Sequence, residues 1–163
     1  MRYFLLLGLV VFTACAPARV NREALSNASV LSAFAPDRGE GGVYKLGEQV
    51  KFNIVLNQAG YLTLISYEPK DKVVPFEVNV RLLAGKQVFP RPEDRQGNAQ
   101  AAYLIVPPTG TNRVIALYTD IPLNGLPRGI NDQAMLETKL RAALESSRVK
   151  TFDLLETSIE VTP

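Results

Sequence analysis

Residues 48–57 constrain the fold more than any other stretch. Val50, Phe52, Ile54 and Leu56 fall on one phase of an alternation, with Gln49, Lys51, Asn53 and Asn57 on the other. Successive side chains of a strand point to opposite faces, so a period of two marks a strand with one face on a core. Such a strand needs backbone partners on its sides and a second layer over its apolar face. The chain offers both. Residues 30–35, 61–67, 73–80, 87–89, 101–106, 113–119 and 155–161 also read as strands, rich in β-branched and aromatic types. Turn chemistry separates them at Pro36-Asp37-Arg38-Gly39, Gly41-Gly42, Ala59-Gly60, Lys70-Asp71-Lys72, Ala84-Gly85-Lys86 and Pro107-Pro108-Thr109-Gly110. Residues 90–100 read as a polar loop. The 113–119 strand, whose core is VIALYT, is nearly all apolar and is expected at the centre of its sheet.

One segment has a different period. Leu136, Leu140, Ala143 and Leu144 form a stripe at helical spacing, which predicts a helix over 132–147. Asn131 is placed to cap it, Ile130 and Met135 to staple it, and Glu137 to pair with Arg141 one turn on. The whole reads as a mainly β, antiparallel β-sandwich of about seven to nine strands with one helix inserted near the C-terminus. Within it Gly47 and Gly60 are expected at turns with positive φ, and Tyr44 and Tyr61 as core or strand-pair aromatics.

The N-terminus carries another signal. Arg2 precedes an uncharged apolar run at residues 3–12, followed by Thr13-Ala14-Cys15. The run is shorter than the roughly 20 residues a spanning helix needs and fits the core of a secretory signal. Phe12-Thr13-Ala14-Cys15 resembles the lipobox of bacterial lipoproteins, with Phe12 where the pattern usually has an aliphatic residue. That resemblance implies removal of residues 1–14 and lipidation of Cys15, which becomes the acylated mature N-terminus. Ordinary cleavage after Ala18 is the alternative. Residues 15–28 then read as the acylated end and a short polar tether, and 29–163 as the β-sandwich domain.

The composition narrows the chemistry. Among 163 residues there is no histidine and one cysteine, Cys15. Without imidazole there is no Ser–His–Asp triad, no Cys–His pair and no histidine-bound metal. A single cysteine excludes an internal disulfide. Lys+Arg total 18 against 16 Asp+Glu, and no two basic residues are adjacent, which argues against a nucleic-acid partner. Carboxylates remain for acid–base work, with Glu93-Asp94 and Asp37 with Glu40 as candidates for a hydrolase or a calcium site. Acids on polar loops are ordinarily solvated surface, and the expectation is no catalytic residue, no cofactor and no metal. Arg81, Lys86, Arg91 and Arg95 could meet an anionic glycan or headgroup but read first as a solvated face.

A family resemblance rests on Tyr44-Lys45-Leu46-Gly47-Glu48-x-Val50-x-Phe52, Gly60-Tyr61-Leu62, Leu83-Ala84-Gly85, Phe89-Pro90, Pro107-Pro108-Thr109-Gly110, Val114-Ile115-Ala116-Leu117 and Ile121-Pro122. In order and spacing these pieces resemble the domain of unknown function DUF4384, from Val30 to Leu123 and on to the last strand. The resemblance implies an immunoglobulin-like sandwich of exported or envelope-associated bacterial proteins, and it brings no catalytic residues. The sequence departs from the family where members carry Phe-Pro-Asn after the third strand; Pro75-Phe76-Glu77 and Asn79 stand there instead.

The expected function is therefore non-catalytic. The chain reads as an exported, lipid-anchored cell-envelope protein, on the periplasmic or outer face of a membrane, whose domain binds or assembles other envelope proteins. The alternatives are a glycan- or peptidoglycan-binding module using the faces of Tyr103 and Tyr118, and a carboxylate hydrolase using Glu93 and Asp94. The anchor yields a direct prediction. Changing Cys15→Ser removes the thiol that takes the diacylglyceryl group and with it the acyl share of membrane affinity, about 0.8 kcal/mol per buried methylene. Mass spectrometry of the N-terminal peptide and detergent partitioning should show both losses, with the unfolding temperature unchanged. An unmodified mature chain beginning at Arg19 would refute the anchor.

Overall fold

A computed structural model describes residues 19–69, 72–125 and 133–163. In chain order the strands are β1 (Leu31–Pro36), β2 (Gly42–Lys45), β3 (Gln49–Val50), β4 (Phe52–Leu56), β5 (Gly60–Glu68), β6 (Lys72–Leu82), β7 (Gly85–Phe89), β8 (Arg95–Gln96), β9 (Ala99–Gln100), β10 (Tyr103–Leu104), β11 (Gly110–Thr119) and β12 (Phe152–Thr162). Helix α1 (Gln133–Ser146) precedes β12. Two larger sheets carry the architecture, a three-stranded one ordered β1-β4-β7 and a five-stranded one ordered β2-β12-β11-β5-β6. All their pairings are antiparallel except β2 with β12. β3 pairs with β10 and β8 with β9. The fold is mainly β and sandwich-like, as the alternation and turn spacing predict.

The alternating residues land as expected. Val50, Phe52, Ile54 and Leu56 are all buried, in a core that the five-stranded sheet completes through Tyr44, Leu62, Leu64, Val114, Ala116, Tyr118, Ile159 and Val161. A second core lies on the other face of the same sheet. There Ile65, Ile115, Leu117 and Leu154 pack against Leu136, Leu140 and Leu144 of α1. Burying each such leucine or isoleucine contributes about 1.5–3 kcal/mol, so the helix is a third layer that the sheet requires. β11 is thus covered on both faces, which explains its continuous apolar run. The proposed cap Asn131 and staple residue Ile130 lie outside the described residues, as do residues 1–18 and the 70–71 turn. Glu137 accepts the Asn21 backbone N–H at 3.0 Å.

Several expectations need correction. β2 was not anticipated, and the 101–106 strand contracts to Tyr103–Leu104 because Ile105 turns to bond Gly47 and Glu48. The 90–100 loop contains the short β8–β9 hairpin. The polar tether expected through residue 28 is docked from Val20 onward. Val20 and Leu25 are buried in the second core, and Arg22–Ala24 form a 3-10 turn capped by Asn21. Gly47 has φ +84 as expected. Gly60 has a different reason: a Cβ there would lie 2.4 Å from Cε2 of the buried Tyr118 ring. The departure at Pro75–Asn79 lies within β6, as the strand expected at 73–80 requires, but the pairing of β6 with β5 slips twice, between Leu62/Leu64 and Leu64/Ile65. Asn79 takes φ +53 there, and its side chain bonds both the N–H and C=O of Leu123 at 2.8 and 2.9 Å.

The N-terminal segment is sewn to β12. Asn27 exchanges bonds with Phe152, Ser26 accepts from Leu154 N–H, and Asp153 closes the seam. The Asp153 side chain is fully buried and accepts the Val30 and Leu31 N–H groups at 2.8 Å each and Arg22 at 3.3 Å. Leaving a buried N–H without an acceptor costs about 1–3 kcal/mol. Asp153→Ala should therefore destabilise the domain by about 2–5 kcal/mol, two such donors being orphaned. Urea unfolding measures this; a change near zero would show that the seam holds nothing.

Candidate functional site

A concavity lies between β10 and the five-stranded sheet, at the end where β5 and β12 finish and β11 begins. It is about 330 Å³ and mostly apolar, with Val50, Val74, Ile105, Val114 and Val161 among its walls and Ser66, Glu68 and Asn112 as its polar part. That size is at the lower limit for a small-molecule site. Three rings gather along it. Phe76 meets Tyr103 edge to face at 5.2 Å between centroids, and Phe52 lies 6.2 and 6.3 Å from the two. Phe76 shares the phase of Val74 and Val80, and the slip between Leu64 and Ile65 sets Glu77 opposite the core residue Leu64, beside this cluster. The Tyr103 hydroxyl donates to Glu77, and burial together with that carboxylate holds the phenol far above its ordinary range. Leu104 and Val106, on either side of the buried Ile105, are 57% and 62% exposed.

A second cluster explains the Tyr44–Glu48 motif. Tyr44 is fully buried; its hydroxyl donates to Asp37 at 2.6 Å and accepts the Arg38 N–H at 3.2 Å. Asp37 also accepts the Lys51 N–H. The Arg38 guanidinium lies 4.4 Å over the Tyr44 ring and bonds Glu48 at 2.8 Å, while Glu48 accepts the Lys45 N–H. Burial opposes the Asp37 charge, but the bonds from Tyr44 and Lys51 outweigh it and keep its carboxyl below the usual range. Burial, then the Asp37 carboxylate, pushes the Tyr44 phenol up to about 12. The side chains of Asp37, Arg38, Tyr44 and Glu48 are engaged with one another and tie the turn after β1 to β2 and to the Lys51 backbone.

The acids proposed from sequence are likewise held. Arg91 binds Asp94 through Nη2 at 2.6 Å and Nε at 3.0 Å, and these bonds lower the Asp94 carboxyl. Glu93 lies 3.7 Å from Arg91, and Glu40 pairs with Arg19 at 2.8 Å. Asp37 and Glu40 thus serve different partners. Among the described residues no group of three metal-ligating acids, histidines or cysteines forms, and no helix is long and apolar enough to cross a membrane. Arg95 bonds the Pro92 carbonyl, and Arg81 and Lys86 are exposed on β6 and β7. The expected aromatic faces are corrected: Tyr118 is fully buried with its hydroxyl on the Ala59 carbonyl, and Tyr103 is half-buried. Cys15 lies outside the described residues.

Sequence reasoning missed the ring cluster. Phe52, Phe76 and Tyr103 all fall on strands in the sequence, but nothing in the alternation says that the three strands meet, nor that a slip sets Glu77 beside them. Residues 43–122 match the family described as Domain of unknown function (DUF4384). The match runs from β2 to just beyond β11, leaving β1, α1 and β12 outside it. No curated protein and no solved structure matches the chain.

The buried Tyr44 phenol makes a pH prediction. Its folded value lies above the ordinary 10, so the stability it carries is complete below pH 10 and is lost as pH rises through about 12. Across that window the unfolding free energy from urea titration should fall, by at most about 1.4 kcal/mol per pH unit for one group. Tyr44→Phe should lower stability at neutral pH and flatten the alkaline fall; an equally steep fall in the variant would assign it elsewhere.

Proposed function

We propose that the chain is an exported envelope lipoprotein, held at a membrane through acyl chains on Cys15, whose sandwich is a non-catalytic module that pairs with an extended strand of another envelope protein. The observation that carries this reading is the edge of β7. Among the described residues β7 pairs with β4 alone. It is regular, with an unbroken register from Gly85 to Phe89, and contains no proline. An unpaired edge of this kind is a template for one more strand. An edge of the five-stranded sheet, β6, is by contrast blunted by Pro75, two register slips and Asn79. Val88 is 39% exposed on β7 and supplies an apolar contact beside the backbone bonds. The anchor supports the same reading, since acylation keeps the module among envelope proteins.

Two measurements test this on the acylated full chain after gentle detergent extraction. A photo-crosslinker at Val88 should capture a partner that one at Met135, on α1, does not. Val88→Lys should weaken retention of that partner about tenfold or more, equivalent to about 1.4 kcal/mol, while keeping the unfolding temperature. Recovery of free monomer alone would count against the proposal.

A further inference from the structure

The concavity beside β10 has polar residues where the pattern of the sheet requires apolar ones. On β5 the side chains facing the first core are Leu62 and Leu64, both fully buried, and the same phase continues to Ser66 and Glu68. On β11 that phase is Asn112, Val114 and Ala116. Ser66 lies opposite Val114, and one step further the same register sets Glu68 beside Asn112. All three polar residues line the concavity.

Together they present acceptors. Asn112 is 7% exposed, and its amide nitrogen donates to the Gly110 and Pro108 carbonyls at 3.2 and 3.5 Å, so its amide oxygen is the group left to meet a ligand. The Glu68 side chain is 16% exposed and lies 3.4 Å from the ammonium of Lys72, which is itself 70% exposed. An ion pair with one partner so far in solvent is weak. Among the described residues lining the concavity, Glu68 is the one that carries a charge. The Ser66 hydroxyl can accept as well as donate. Apolar groups make up the rest of the wall, with the rings of Phe52, Phe76 and Tyr103 among them and the Tyr103 hydroxyl committed to Glu77.

An acceptor-rich end on an apolar body dictates the occupant. A wholly apolar molecule would strip water from Glu68 without replacing its hydrogen bonds, and an anion would meet a like charge. An ammonium group carries three donors and no acceptor, which matches Glu68, Asn112 and Ser66. The volume of about 330 Å³ holds about ten non-hydrogen atoms at about 30 Å³ each.

We propose that this concavity is a binding site for a small primary amine whose apolar body is one ring with a short linker. The ammonium takes the place of Lys72 on Glu68, and Lys72 moves fully into solvent. The ring packs among Phe76, Tyr103 and Val114. The site is independent of the Cys15 anchor and of the β7 edge, and it goes beyond both.

The test titrates phenylpropylamine, phenylpropanol and phenylpropionate, three molecules of near-equal shape, into the full chain with isotope-labelled valine methyl groups. The methyl signals of Val74, Val114 and Val161, which line the concavity, report occupancy. The amine should bind about tenfold or more tightly than the alcohol, and the carboxylate should leave the signals in place. Glu68→Gln should bring the amine to within about twofold of the alcohol while leaving alcohol binding unchanged. An unchanged unfolding temperature certifies the variant; should the variant unfold, the ranking of the three molecules on the wild-type chain decides alone. The proposal is overturned by an amine that binds no more tightly than the alcohol, by shifts confined to residues away from the concavity, or by a folded Glu68→Gln chain that holds the amine as the wild type does.

Discussion

Strand β11 is buried on both faces, and most of the architecture follows from that. Its inward side chains Val114, Ala116 and Tyr118 need the three-stranded sheet, and its outward side chains Ile115 and Leu117 need α1. Its backbone needs a strand on each side, supplied by β5 and β12. The one charged residue on this strand shows how strict the demand is. Arg113 faces the α1 side and is 7% exposed; it bonds Glu156 at 3.3 Å and lies 4.3 Å over the Tyr67 ring. Breaking such a pair by removing one partner costs about 3–5 kcal/mol, because the remaining charge stays buried. Glu156 also receives the Val20 N–H, so the same pair pins the N-terminal segment.

β12 gives the sheet its continuity. It lies between β2 and β11, parallel to the first and antiparallel to the second. Residues 43–122, the part that matches the family, contain β2, β5, β6 and β11 but not the strand that joins β2 to the rest. The residues outside that match are therefore structural necessities. Asp153 makes the same point from the other end, since it ties the start of β1 to the start of β12.

What was legible in the sequence was what depends on local period. The phase of Val50, Phe52, Ile54 and Leu56, the two-sided run in β11 and the stripe Leu136, Leu140, Ala143 and Leu144 each declare a buried face. Features that depend on distant partners were not legible. Gly60 gave no sign that Tyr118 would sit on it, and β2 is too short to show a period. Asp153 did leave a trace: it falls on the same phase as Leu155, Thr157, Ile159 and Val161, the inward side of β12. An acid on a core phase has to find donors there. Of the candidate site, Tyr103 reads from sequence as an exposed platform, because its companions Phe76 and Glu77 come from a distant strand and a slip that no pattern announces sets Glu77 toward it.

The polar groups then bear on what kind of surface acts. A general acid at neutral pH needs a carboxyl raised toward 7. Asp37 and Asp94 move the other way, each held ionised by its bonds. Groups held in this manner stabilise turns. Val88 is an exposed apolar side chain on β7. A strand added to a five-residue edge buries less than the roughly 1,200 Å² of a stable solution complex and would be weak between free proteins. On the proposed reading, confinement to one membrane changes that, because it raises the effective concentration of the edge for a neighbour in the same membrane. A modest edge then suffices on that reading, and the burial of Val20 and Leu25 starts the docked chain five positions after Cys15.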